Sequence, residues 1–105
     1  MIMRKKVLII DDEVDFGTLM KNYFLRKNYE VYVAHTLGDG MNRLNEVLPD
    51  FLFIDYNLPD GLGINFIDHI KIHYPQIKIV MITAHDSMIN KNRALKKGAD
   101  FFITK

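Results

Sequence analysis

The sequence predicts an α/β fold, a doubly wound five-stranded parallel sheet, on three observations. Val7 to Ile10 and Phe51 to Ile54 are apolar runs without alternation, and Ile77 to Ile82 is apolar but for Lys78. Such runs suit strands buried on both faces. Between them lie segments whose apolar residues recur at helical spacing. Strand and helix signals alternate one for one as βαβαβαβαβ, which argues for right-handed crossovers and helices on both faces of the sheet.

Taken in order, Lys6 to Ile10 reads as a central strand, and Asp11-Asp12-Glu13 turns the chain into a helix over Val14 to Lys27. Phe16, Leu19, Met20, Tyr23 and Phe24 form its apolar stripe, and Asn28 ends it. Glu30 to Ala34 alternates, as expected of a more exposed strand near the edge. Thr36 caps a helix running through Leu48, weakened by Gly38 and Gly40 and stopped by Pro49-Asp50. The third strand ends at Asp55 and opens into a loop with Pro59, Gly61 and Gly63. A helix over Ile64 to Tyr74 buries Phe66, Ile67 and Ile70, and Pro75 closes it. The fourth strand runs from Ile77 to Ile82 and ends at Thr83. A fourth helix over Ser87 to Lys97 has Asp86 or Ser87 as cap and Gly98 as stop. Asp100 to Thr104 is the fifth strand, ending at Lys105.

At 105 residues the chain is expected to be a single domain, residues 1–105. The absence of cysteine excludes disulfides and thiolate metal sites and fits a cytoplasmic location. The basic start is followed by too short an apolar run for a signal core or a membrane span, so no membrane role is expected. A net charge of +1 offers nucleic acid no overall attraction, and no direct nucleic-acid binding is expected.

In a parallel sheet of this kind ligands bind at the carboxyl ends of the strands. There the strands leave Asp11 and Asp12, then Asp55, then Thr83, then Lys105. Each has a bland reading: helix caps for the first two, a strand-end turn, a β-branched strand residue, a solvated terminus. Together they do not, since unrelated accidents would have to converge on one sheet edge. Carboxylates brought together repel unless a cation joins them. Oxygen ligands favour a hard cation, and Mg²⁺ suits a site with few carboxylates. Beside a metal, a hydroxyl and an ammonium would neutralise a phosphoryl group in flight, with Asp55 as the nucleophile.

The chain resembles a response-regulator receiver domain of two-component signalling, which has a flavodoxin-like fold. The resemblance rests on VLIIDDE, FLFIDYNLPDGLG, MITA and GADFFITK, and spans the whole chain. Pro59 lies four residues beyond Asp55, Gly63 eight beyond it, and Lys105 twenty-two beyond Thr83. The resemblance implies that Asp55 is the phospho-acceptor and that Asp11, Asp12, Asp55 and the backbone carbonyl of Asn57 bind Mg²⁺. It implies a switch hydroxyl at Thr83, a lysine at Lys105 pairing with acceptor and phosphoryl group, and a switch aromatic at Phe102. Phenylalanine there lacks tyrosine's hydroxyl, so its inward rotation would be driven by burial alone. The resemblance also places Asn57 and His85 at positions similar to those that tune the dephosphorylation rate in the family.

The implied function is a phosphorylation-controlled switch rather than an enzyme, taking its phosphoryl group from a phosphohistidine of a histidine kinase or phosphotransfer protein. An interaction-only domain that keeps the fold without being phosphorylated is the alternative. A flavin or nucleotide module is disfavoured, because a phosphate cradle after the first strand needs amides where this chain has acids.

The chain departs from the family by ending at the lysine, without a proline and a fifth helix. Apolar side chains of the first, third and fifth strands should then be uncovered. The expected result is a homodimer through that sheet face or through the fourth helix and fifth strand, a swapped assembly, or a fragment of low stability. His69 and His73 have a spacing that can bind zinc, but no third ligand is evident and Asp68 and Lys71 suggest a solvated face. Lys91, Arg93, Lys96 and Lys97 read as a solvated face, with cations near the helix C-terminus.

Overall fold

A computed structural model describes residues 3–84 and 88–105. The suggested helix caps Asp86 and Ser87 and the suggested tuner His85 lie outside the described residues. The elements are β1 (Lys6–Ile10), α1 (Val14–Arg26), β2 (Glu30–Ala34), α2 (Leu37–Val47) and β3 (Phe51–Asp55). They continue with β4 (Asn57–Leu58), β5 (Gly61–Leu62), a 3₁₀ turn (Gly63–Phe66) and α3 (Ile67–His73). Last come β6 (Lys78–Thr83), α4 (Met88–Lys97) and β7 (Phe101–Thr104).

The main sheet has the order β2-β1-β3-β6-β7 with every pair parallel, so β2 is an edge strand and β1, β3 and β6 are central. The reversal of strand order at β1 and β3 opens the crevice at their carboxyl ends. β4 and β5 form a separate two-residue antiparallel ribbon that alternation along the sequence did not reveal.

The larger core joins Leu8, Ile10, Leu52, Ile54, Ile79 and Met81 of the sheet to Leu37 and Leu44 of α2, Ile67 and Ile70 of α3, and Ala94 of α4. Burying each large aliphatic chain contributes about 1.5–3 kcal/mol. α2 approaches β1 closely enough that a Cβ on Gly40 would lie 2.4 Å from Ile10 Cδ1. The glycine that weakens the helix locally is therefore what lets it pack. Thr36 caps α2 as expected, accepting from Asp39 N–H at 3.1 Å.

On the opposite face α1 packs Gly17 against Val33 and the Phe24 ring 5.3 Å from that of Phe53. The expectation of uncovered strands is corrected here for the first strand: Val7 and Ile9 are fully buried. The third strand's Phe51 and Phe53 are half-buried. The fifth strand of the sheet, β7, is uncovered as expected, with Phe101 60% and Ile103 41% accessible; on α1, Leu19 and Tyr23 are exposed as well. Leu19, Met20, Tyr23, Phe24, Phe53 and Ile103 line a groove of about 420 Å³ on this face.

The third helix also differs from expectation at its start. Gly63 N–H donates to Tyr56 O at 2.8 Å, and a Cβ on Gly63 would lie 2.1 Å from the Asp55 carbonyl oxygen. This tether to the end of β3 accompanies a tight 3₁₀ turn before α3 opens into a true α-helix. No helix among the described residues is long and apolar enough to cross a membrane.

Candidate functional site

Asp11 follows the last residue of β1, Asp55 ends β3, Thr83 ends β6 and Lys105 follows β7, so four parallel strands deliver these side chains to one edge. Asp11 is fully buried, Asp55 is 5% accessible and Thr83 2%, while Asp12 is exposed. One carboxylate oxygen from each of Asp11, Asp12 and Asp55 lies within 4.8 Å of the others.

The first turn after β1 holds its acids in place. Glu13 N–H donates to Asp11 Oδ1 at 2.8 Å, and His35 Nδ1–H donates to the Asp11 carbonyl at 2.9 Å. The capping reading of Asp11 and Asp12 is replaced by this arrangement, because Glu13 occupies the N-cap of α1 without a side-chain cap bond. Asp55 Oδ1 accepts a long 3.4 Å bond from Asn57 N–H. Asn57 itself is exposed and opens β4.

Lys105 joins the acids. Its Nζ lies 2.9 Å from Asp11 Oδ2, 3.3 Å from Asp55 Oδ2 and 2.6 Å from Glu13 Oε1. It also stands 4.9 Å from the Phe16 ring centroid. Lys105 N–H donates to Thr83 O at 2.8 Å, which fixes the backbone from which the side chain reaches inward. Although the residue ends the chain, its side chain is only 11% accessible. Burial works against the ammonium, but the Glu13 and Asp11 contacts and the charge of Asp55 outweigh it and hold Lys105 well above its ordinary range. Burial is also the main influence on Asp55, followed by repulsion from Asp11. Together they push its pKa up to about 6 despite the opposing pull of Lys105 and Asn57 N–H.

A divalent cation fits these residues on an observation independent of their count. Asp11 Oδ2 is buried and, although close to Lys105, lies outside hydrogen-bond geometry, so it retains no aligned donor. The clustered side chains of Asp11, Asp12 and Asp55 each offer a carboxylate oxygen, the ligand type that hard cations prefer. A polar cleft of about 470 Å³ between β2 and α2, lined by His35, Asp39, Asn42, Arg43 and Glu46, contains none of these acids.

Phe102 is half-buried in β7 opposite Met81, packed against the main core. Glu13 and Phe16 were not singled out as site residues, yet both meet Lys105. The one available signal was Glu13's place directly after the acidic pair. Asp60, in the loop after β3, gives no local signal of its role: its carboxylate accepts from Leu37 N–H at 2.8 Å and Gly38 N–H at 2.9 Å. These bonds tie the β4–β5 turn to the start of α2 and lower the Asp60 pKa.

A sequence profile of the response regulator receiver domain matches residues 7–105. The phosphate regulon transcriptional regulatory protein PhoB of Escherichia coli (strain K12) is 32% identical over 98% of this chain. The match covers 46% of that protein, so the chain spans about half the length of this relative. A response regulator of Burkholderia pseudomallei, crystallised with a phosphorylated aspartic acid, calcium ion and citrate, superposes with a TM-score of 0.90 at 26% identity, over 96% of this chain and 59% of that one. The beryllofluoride-activated NtrC4 receiver domain, solved as a dimer in solution, gives a TM-score of 0.89 at 33% identity over 95% of this chain and 83% of that one. With the strand-end acids, the order of the sheet and a profile match over nearly all of its length, this chain belongs to the response regulator receiver domain family.

Proposed function

We propose that residues 1–105 form one receiver domain acting as a phosphorylation-controlled switch, with Asp55 as the acceptor. One observation carries the reading: a nearly buried strand-end carboxylate lies within reach of two further acids and 3.3 Å from a lysine ammonium. The donor is a phosphohistidine on a histidine kinase or phosphotransfer protein. An Asp55 oxygen attacks phosphorus, the P–N bond breaks, and the leaving imidazole nitrogen retains the bonding pair and is protonated.

Asp11, Asp12, Asp55 and the Asn57 carbonyl would hold Mg²⁺, which supplies neutralisation of phosphoryl charge when bound. Lys105 orients the acceptor and balances the charge on the transferred group. The chain is its own substrate, so it acts as a switch rather than an enzyme. Thr83 then moves toward the phosphoryl oxygens and Phe102 occupies the space it leaves, shifting the population of two conformations. The dimeric state of the activated NtrC4 receiver supports a homodimer of this chain through the open sheet face or the α4–β7 side.

Incubation with a small phosphodonor and Mg²⁺, followed by intact mass measurement, tests this reading. A gain of one phosphoryl group that disappears in Asp55→Asn is expected. No gain in the unsubstituted chain would overturn it and leave an interaction-only domain.

A further inference from the structure

α3 presents a second group of potential metal ligands, far in chemistry from the acidic cluster. Ile67 and Ile70 are fully buried and turn one side of this helix to the core, while His69 and His73 lie on its exposed surface. Their spacing of four residues brings side chains one above the other on a helix. The structure shows that the two imidazoles do converge: the ring centroids are 4.3 Å apart at an interplanar angle of 63°.

The charged neighbours do not compete for this position. Lys71 lies between the two histidines in sequence, but its ammonium donates to Ile77 O at 2.9 Å and to Asp100 Oδ2 at 2.7 Å. Asp68 accepts from His69 N–H and lies 3.8 Å from Lys97 Nζ. Among the described residues no hydrogen bond engages a ring nitrogen of either histidine. These nitrogens are therefore available to an incoming ligand.

We infer that His69 and His73 form a chelating site for a borderline divalent transition-metal ion such as Zn²⁺, held by two imidazole nitrogens and completed by water. Imidazole suits zinc, copper and nickel, whereas the Asp11, Asp12 and Asp55 oxygens suit Mg²⁺, so ligand chemistry separates the two sites. No third ligand from this chain joins the pair among the described residues, which leaves the remaining coordination positions open. α3 has only seven residues, a length at which helices depend on outside contacts for stability. An ion bridging successive turns binds only while the helix is formed, and so raises folded-state stability by mass action.

The test is zinc titration of the whole chain with Mg²⁺ in excess, followed by calorimetry and by the NMR signals of the histidine rings. Expected are one zinc site, shifts in the His69 and His73 rings together, and a higher Tm. His69→Asn and His73→Asn should each weaken zinc binding about tenfold or more, while Asp55→Asn should leave it unchanged. No binding at millimolar zinc would overturn the inference. So would binding that survives both histidine substitutions, or binding lost in Asp55→Asn alone.

Discussion

The ammonium of Lys105 lies 2.9 Å from a fully buried oxygen of Asp11, so the last residue of the chain neutralises the first acid of the cluster. Removing one member of a buried pair strands the other charge. Lys105→Met is expected to cost about 1–3 kcal/mol in urea unfolding without metal. The figure falls below that of a fully enclosed pair because the exposed Glu13 also shares the ammonium. Added Mg²⁺ should recover part of the loss; unchanged stability would show that the contact contributes nothing.

Asp55 makes stability depend on pH in a defined direction. Its pKa in the folded chain is about 6 against an ordinary 3.8. Between these values the folded chain keeps a proton that the unfolded chain has released, so this group's contribution falls as pH rises through the window. Asp55→Asn removes the effect. Its stability relative to the unsubstituted chain should therefore grow by about 1–3 kcal/mol from pH 4 to pH 7 in the presence of a chelator. A relative stability that shrinks over that range would contradict the assignment.

Asp11 Oδ2, ion-paired with Lys105 but without an aligned hydrogen-bond donor, bears on metal binding. Titration with Mg²⁺ should raise the Tm, and chelation should return it to the starting value. Asp11→Asn and Asp12→Asn should each weaken Mg²⁺ binding about tenfold or more by calorimetry. Equal affinities in all three proteins would place the ion elsewhere.

Gly63 lets the loop beyond Asp55 fold back on the strand end. In Gly63→Ala the added methyl meets the Asp55 carbonyl oxygen at 2.1 Å, and backbone atoms must shift. A loss of about 1–3 kcal/mol is expected, together with slower labelling by a small phosphodonor. If labelling keeps its rate while stability drops, the loop does not position the acceptor.

The groove between α1 and β7 leaves Ile103 at 41% accessibility beside exposed Leu19. An uncovered apolar face favours association. Sedimentation of the 105-residue chain should show a concentration-dependent dimer, and Ile103→Lys should shift it toward monomer. Dimerisation insensitive to that substitution would move the interface to another face.

Much of this molecule was legible in the order of its residues, for local reasons. β1, β2 and β3 have the boundaries expected of them, because apolar runs or strict alternation end at acids, turns or small residues. The pair Asp11-Asp12 and the strand-end Asp55 were recognisable for the same reason: a carboxylate closing a buried strand has no packing role. The third helix was less legible, since its 3₁₀ start accompanies a tether between Gly63 N–H and a carbonyl across the loop. The β4–β5 ribbon is too short to generate a period.

The sequence by itself determined the five strands of the main sheet and the approximate course of the four helices, and which polar residues close the strands. Only the tertiary structure decided that Glu13 and Phe16 gather around Lys105, that Asp60 caps α2 from another loop, and that β1 is covered while β7 stays exposed. Side-chain periodicity reports which way a residue faces along its own element. Contacts between elements depend on strand order and crossover packing, which bring distant residues together at distances that no local pattern encodes.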